Sequence, residues 1–501
     1  MSKVRLRQPP GPPGHSEKEP ARSVKESPEL PRSRFLAGVA VTAMLVVAAG
    51  CGGGGGGSDS GGGSGGGSAA DNTITVWTTE DIADRVAAQQ KILDGWASKN
   101  GATVKLVAIA EDQLTTVLTS AAAAKELPDA IAALSLNGMN QLRTDDLVDP
   151  EAAKEVVDGL GADTFYKRTL ELTSADGEQI AVPSDGFANL LFYRKDLFQA
   201  AGLPEPKTYA DIQSAAEKLK KGKTAGIVAS TAPADGFTQQ TFEYMAVANG
   251  CQLVDSGGKI TLNSPQCQET FNWYANLIKK TSVPGNQDAD TTRATYFAGN
   301  AAMVIWSSFL LDELAGLRKD ALPTCPQCKN DPQWLAKNTG ILTDLQGPSS
   351  PNPVAWGEVV SWNILKDANP KAKDLVKYMM SDGYMDWLAI APEGKIPARS
   401  GTSANPKEYA DGWIKLSAGV DKKEPLTDIY PAEVLTTIAS SAANFDRWGI
   451  PQGQGELAAA VAGQYVVPQA LAKMLNSGAS AADAANEAQK SAEQIQKDLG
   501  G

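Results

Sequence analysis

From residue 73 onward, short β-rich runs alternate with amphipathic helical stretches. No other feature of the chain restricts its fold as much. Residues 73–77 are β-rich, and residues 84–98 follow with Val86, Ile92, Leu93 and Trp96 on one helical stripe. Residues 103–109 alternate as a strand, 114–125 return to helix, and 129–134 read as a buried strand. The pattern recurs as helix 209–221, strand 226–229 and helix 239–249. A further helix is expected after Asn263, with Ser264 as N-cap and Pro265 in the first turn. Strand candidates 302–306 and 358–365 are each followed by helix, and Ser480 is placed to cap a C-terminal helix over 481–499. Strands alternating with helices mean parallel α/β layers. About 430 residues of this kind exceed what one core usually holds, so two lobes are expected.

Ahead of this body stands an export signal. Arg32 and Arg34 flank an uncharged stretch, residues 35–50, that ends in small residues. It is too short to span a bilayer comfortably. Residues 1–30 are rich in Pro, Glu, Lys and Arg and make an unusual N-terminal extension to the signal, assigned here to residues 1–50. Ala48-Ala49-Gly50-Cys51 resembles a bacterial lipobox, which implies that Cys51 is lipidated and becomes the new N-terminus. Ala48 stands where that motif most often has Leu; the alternative is an ordinary signal whose Cys is incidental. Residues 51–70, almost all Gly and Ser after Cys51, suit a flexible tether. Localisation on the extracytoplasmic face of the cell membrane follows, with contact to the membrane only through the lipid.

Composition excludes several chemistries. The net charge is −12, and loss of the basic N-terminal stretch leaves the remainder more acidic still, so nucleic acid is not an expected partner. The one histidine, His15, lies in the segment removed with the signal. The mature chain therefore lacks Ser-His-Asp and Cys-His catalysis and any His-ligated metal site. No metal and no cofactor are expected. Cys251, Cys267, Cys325 and Cys328 form an even set in an oxidising compartment and read as disulfides. Proximity favours Cys251–Cys267 and Cys325–Cys328 among three pairings. The Cys325-Pro-Gln-Cys328 spacing also fits a redox pair or half a zinc site, against which the flanking Pro323 and Pro326 argue.

In open α/β sheets, ligands bind at the carboxyl ends of strands. The turns there combine aromatics with carboxylates and amides: Trp77, Glu80 and Asp81; Asp185, Phe187 and Asn189; Asp235, Phe237, Gln239 and Gln240; Trp306, Ser307 and Phe309. Aromatic faces stack on the C–H face of a sugar while acids and amides bond its hydroxyls, so these turns suit a polyhydroxylated ligand. Each has a plainer reading. Trp77 and Trp306 end apolar strands and suit a core, and Glu80 and Asp81 suit a helix start. Trp448, in the loop with Phe445 and Arg447, suits either ligand contact or a clamp on the hinge.

At this point four segments carry a resemblance. Phe192-Tyr-Arg-Lys-Asp-Leu-Phe-Gln-Ala-Ala-Gly-Leu-Pro-Glu-Pro-Lys-Thr-Tyr-Ala-Asp-Ile212 resembles the "YNKDLFKKAGL-P-P-TWDE" signature of extracellular solute-binding proteins of the maltose-binding-protein type. Residues 296–303 resemble its "F-x-x-G-x-A-A-M" element, residues 369–379 the helix after the crossing strand, and residues 394–399 its "G-x-L-P-x-R" element. The resemblance implies an α/β, two-lobed type II periplasmic-binding-protein fold with a ligand cleft between the lobes. It implies a first lobe of residues 71–184 and 361–425 and a second of 185–360 and 426–501, with crossings near Ser184, Val360 and Leu426. The implied ligand positions are Trp77, Glu80, Asp81, Asp185, Phe187, Asn189, Phe309 and Arg399. Phe309 stands where the family often has Trp.

The resulting expectation is a lipid-anchored, monomeric receptor for a sugar, oligosaccharide or polyol that serves an ABC import permease and is not an enzyme. Receptors for other solutes remain open. The competing class is an exported carboxylate-dependent glycoside hydrolase, against which the lack of an eightfold β–α recurrence argues.

Overall fold

The computed structural model describes residues 72–110 and 113–500. The expected export signal, the expected lipidation at Cys51 and the Gly/Ser tether all fall outside the described residues. Its main sheet has ten strands: β1 (Thr73–Thr78), β2 (Thr103–Ala108), β3 (Ala130–Leu134), β4 (Val182–Arg194), β5 (Met303–Ser307), β6 (Thr339–Leu342), β7 (Asp344–Leu345), β8 (Val354–Ile364), β9 (Ile396–Pro397) and β10 (Phe445–Asp446). The helices that matter below are α1 (Ala83–Asn100), α2 (Leu136–Thr144), α3 (Tyr209–Leu219), α4 (Gly236–Ala248), α5 (Pro265–Thr281), α6 (Leu310–Leu314), α7 (Gly455–Gly463), α8 (Val466–Ser477) and α9 (Ala481–Leu499).

The first strands behave as their patterning requires. β1 pairs in parallel with β2 and with β3, and the intervening helices cover the sheet. Ile74, Val76, Ile131 and Leu134 are buried against Leu93 and Trp96 of α1. α5 starts as expected, with the Ser264 hydroxyl accepting from the Cys267 N–H and Pro265 in the first turn. α9 starts the same way, with Ser480 accepting from Asp483.

Two long strands, β4 and β8, tie the molecule together. They run antiparallel to each other at the middle of the sheet. The first half of β4 lies between β8 and β9, and its second half lies between β5 and β6. β8 pairs with β3 through Ser361–Ile364 and with β7 and β10 through Val354–Trp356. Glycine permits this crossing. A Cβ on Gly186 would stand 2.3 Å from the Glu358 carbonyl oxygen, and one on Gly357 would stand 2.3 Å from the Phe445 ring.

Buried apolar side chains fall into two clusters. One gathers β1–β3, α1 and α2 with Trp362, Trp387 and Trp413. The other gathers α3–α5 with the C-terminal helices α7–α9 around Trp356, Phe242 and Trp448. The fold is thus the two-lobed type II architecture, with β4 and β8 passing through both parts. Leu310, Leu311 and Leu314 of α6 join the first cluster together with Leu426 and Tyr430.

Two features differ from the sequence reading. Residues 226–229 form only isolated parallel bridges, Ala225 to Ala301 and Val228 to Val304, instead of a strand. The polar run at Asp185–Asn189, expected as a turn, lies inside β4. Both Cys251–Cys267 and Cys325–Cys328 are disulfides. No described helix is long and apolar enough to cross a membrane.

Candidate functional site

Where β4, β8, α2 and α4 converge, a cavity of about 340 Å³ opens. Its walls are Ser135 and Asn137 at the start of α2, Phe187 of β4, Gln239, Gln240 and Glu243 of α4, and Glu358 and Val360 of β8. Arg447, Gly463 and Tyr465 also line it. A second cavity of about 490 Å³ shares Ser135, Asn137 and Gly463 and continues between α2 and α7.

Local structure explains the placement. Ser135 follows β3 directly and caps α2, its hydroxyl accepting from the Gly138 N–H at 3.3 Å. The same helix start presents the Leu136 N–H to Glu358 Oε1 at 2.7 Å, where a carboxylate gains from the helix dipole. The other Glu358 oxygen binds Arg447 Nη1. Arg447 Nε donates to Glu243 Oε1 at 3.0 Å, and the guanidinium lies 4.7 Å from the Trp356 ring centre. Burial disfavours the Arg447 charge, but Glu358 and Glu243 outweigh it and raise its pKa above the ordinary arginine value. This guanidinium is therefore committed to two carboxylates from two different elements.

Aromatic rings and amides lie at this wall and behind it. Phe187 lies 5.4 Å from Phe309 and 6.3 Å from Trp356, ring centre to ring centre. Asn189 shares the Phe187 face of β4 and is buried with neither amide atom hydrogen-bonded within the protein. Gln239 Oε1 is likewise buried without a partner. Buried amides are almost always satisfied, so such groups point to a ligand or water. Tyr465 has φ 53°, the left-handed region that disfavours side chains other than glycine. A tyrosine kept there on a cavity wall suggests a use for its ring.

Of the residues singled out from sequence, Phe187, Gln239 and Gln240 line this cavity. Asp81 is exposed at the start of α1. Glu80 pairs with Arg85 at 3.3 Å, and Trp77 is buried at the end of β1. Trp306 donates from Nε1 to the Ala289 carbonyl at 3.0 Å, and Ser307 is buried in β5 opposite Asn189. Phe309 packs on Gly394, where a Cβ would lie 2.0 Å from its ring. Asp185 accepts from Trp387 Nε1 at 2.5 Å and has Lys395 Nζ at 3.6 Å. The Arg399 guanidinium bonds Thr164 Oγ1 and the Met380 and Leu160 carbonyls. Trp448 donates from Nε1 to the Cys251 carbonyl at 2.8 Å. Sequence reasoning missed Asn137, Glu243, Glu358 and Tyr465 and gave Arg447 no role. Only Ser135, a capping residue directly after a strand, carried a usable signal.

Tyr465→Gly separates the two roles of that residue. Relief of the left-handed backbone is expected to stabilise the fold by about 1 kcal/mol, while loss of the ring weakens solute binding by about 1–2 kcal/mol. Denaturation and calorimetry on the same variant check both signs. Loss of stability with unchanged binding would make Tyr465 merely structural.

The sequence pattern of the family described as bacterial extracellular solute-binding protein matches residues 79–386. The chain belongs to that family. Among relatives, the ABC transporter periplasmic-binding protein YcjN of Escherichia coli K12 is 25% identical over 388 residues, covering 75% of this chain and 84% of that one. Among solved structures, an ABC transporter solute-binding protein from Agrobacterium radiobacter K84 in complex with ribitol superposes with TM-score 0.61 at 22% identity, covering 84% of this chain and 98% of that one. The cyclic alpha-maltosyl-1,6-maltose binding protein of Arthrobacter globiformis gives TM-score 0.64 at 16% identity, covering 85% and 99%. All three are binding proteins, the first two of ABC transporters, and the chain is a solute-binding protein, not an enzyme; the hydrolase reading is set aside.

Proposed function

We propose that this protein binds a neutral sugar or polyol in the cavity bounded by Phe187, Gln239, Gln240 and Tyr465 and delivers it to an ABC import permease. The observation that carries the reading is the unpartnered buried amide oxygen of Gln239 on a cavity wall shared with the Phe187 and Tyr465 rings, with the unpartnered Asn189 amide two residues along β4 from Phe187. Amides bond hydroxyls and rings stack on C–H faces. The arginine on this wall is already held by Glu243 and Glu358, which disfavours a phosphate ester. Closure of lobe 1 (71–184 and 361–425) on lobe 2 (185–360 and 426–501) encloses the solute, and affinity for the closed state drives the motion. The mature chain acts as a monomer, anchored through a lipid on Cys51. The ribitol and maltosyl-maltose ligands of the two structural neighbours support the choice of chemistry.

Calorimetry with ribitol, D-mannitol, maltose and sn-glycerol 3-phosphate tests it. Saturable binding of a neutral compound, weakened in Phe187→Ala, is expected. Binding of the phosphate ester alone would overturn the choice of ligand class.

A further inference from the structure

A separate group of ionisable side chains lies where α6 meets the Pro392–Gly394 turn. Asp312 of α6 is 1% exposed, and neither carboxylate oxygen has a hydrogen-bond partner. Glu393 in the turn is equally buried; its Oε1 takes Arg85 at 3.2 Å, and its Oε2 has no partner. The Ser308 hydroxyl donates to the Glu393 carbonyl at 2.6 Å and fastens the start of α6 to the turn.

The arginines nearby are already engaged with carboxylates, and Lys423 Nζ donates to the Ile390 carbonyl at 3.4 Å. Arg85, Arg318, Glu313 and Glu393 face Asp312, and the Tyr430 hydroxyl beside it donates to the Leu311 carbonyl at 2.5 Å. Arg85, Lys423 and Arg318 face Glu393. Arg85 also holds Glu80 at 3.3 Å, and Arg318 holds Asp320 at 2.8 Å and Glu313 at 3.2 Å. Arg293 divides itself between Glu313 at 3.1 Å and Asp290 at 2.7 Å. Two buried carboxylates on adjoining elements, three of whose four oxygens have no partner, cannot both ionise cheaply when neither Asp312 oxygen is bonded by a cation.

We infer that Asp312 and Glu393 hold one proton between them at neutral pH, and that this proton keeps α6 docked on the Pro392–Gly394 turn. Its release is a conformational switch built into the fold. Burial, with the negative field of Glu393, pushes the Asp312 carboxyl up to about 8. Burial also raises Glu393, although Arg85 opposes it. Both shifts are upward from the unfolded value. The pair therefore contributes stability that is fully present below the ordinary carboxylate range, about pH 4, and is lost as pH rises through about 8. The switch sits against the cleft, because Phe309 packs both on Gly394 and on Phe187 of the cavity wall. That last link rests on the cleft reading; the shared proton does not.

Infrared spectroscopy and thermal unfolding of the folded chain from about pH 5 to about pH 9 test the inference without any solute. A protonated carboxyl stretch is expected at neutral pH, disappearing as pH passes about 8. The unfolding midpoint should fall from about pH 5 upward and level off above about 8. Asp312→Asn, a neutral isostere, should lack the band and flatten the fall, and Glu393→Gln, which removes the neighbouring negative charge but not the burial, should move both to lower pH. Hydrogen exchange at 308–314 and 391–395 should accelerate above the transition in the natural chain only. Absence of the band at neutral pH, or identical pH profiles in the natural chain and both variants, would overturn the inference. Neither result bears on solute binding, so the two readings fail separately.

Discussion

Arg447→Met is expected to destabilise the protein by about 3–5 kcal/mol, the cost of removing one partner from a buried ion pair. The side chain is nearly enclosed, and its guanidinium neutralises both Glu243 and Glu358. Methionine keeps much of the volume but leaves two carboxylates facing each other without a cation. The three charges come from α4, β8 and the loop after β10, so the loss falls where both parts of the molecule meet. Urea unfolding of the variant measures it. A change under about 1 kcal/mol would mean that the cavity floor is solvated and the triad contributes little. Replacing all three by apolar residues is expected to recover much of the loss, because the cost lies in the orphaned charges.

The second large effect concerns Cys251 and Cys267. They close a loop with a sequence separation of 16, and a loop of this length gives about 3 kcal/mol in the chain-entropy account. Cys251→Ala with Cys267→Ala should lose about that much, measured by denaturation against the oxidised chain. The bridge also steadies the site, since Trp448, next to Arg447, donates to the Cys251 carbonyl. The double variant should therefore bind solute more weakly as well as unfold earlier. The Cys325–Cys328 bridge spans only three positions and should matter less.

Local signals explain what was legible beforehand. β1 to β3 and α1 follow from apolar periodicity, and the starts of α5 and α9 follow from Ser264, Pro265 and Ser480. The two disulfides were favoured by proximity in sequence. β4 was hidden because Pro183, Asp185, Gly186 and Asn189 carry turn chemistry; pairing with β8, β5 and β6 overrides it. The run at 226–229 has strand composition but gains only single bridges. The Glu243–Arg447–Glu358 triad joins residues 204 and 89 positions apart, and no spacing rule reaches that far. Tyr465 was invisible because its left-handed backbone is a property of the folded turn between α7 and α8, not of its neighbours in sequence.

The most direct test of the central claim is native mass spectrometry of the protein purified from its own host. A neutral polyhydroxylated solute should be retained at one per chain, and Phe187→Ala purified in parallel should carry less of it. Retention of a phosphate ester or a peptide, or equal retention by both proteins, would contradict the account.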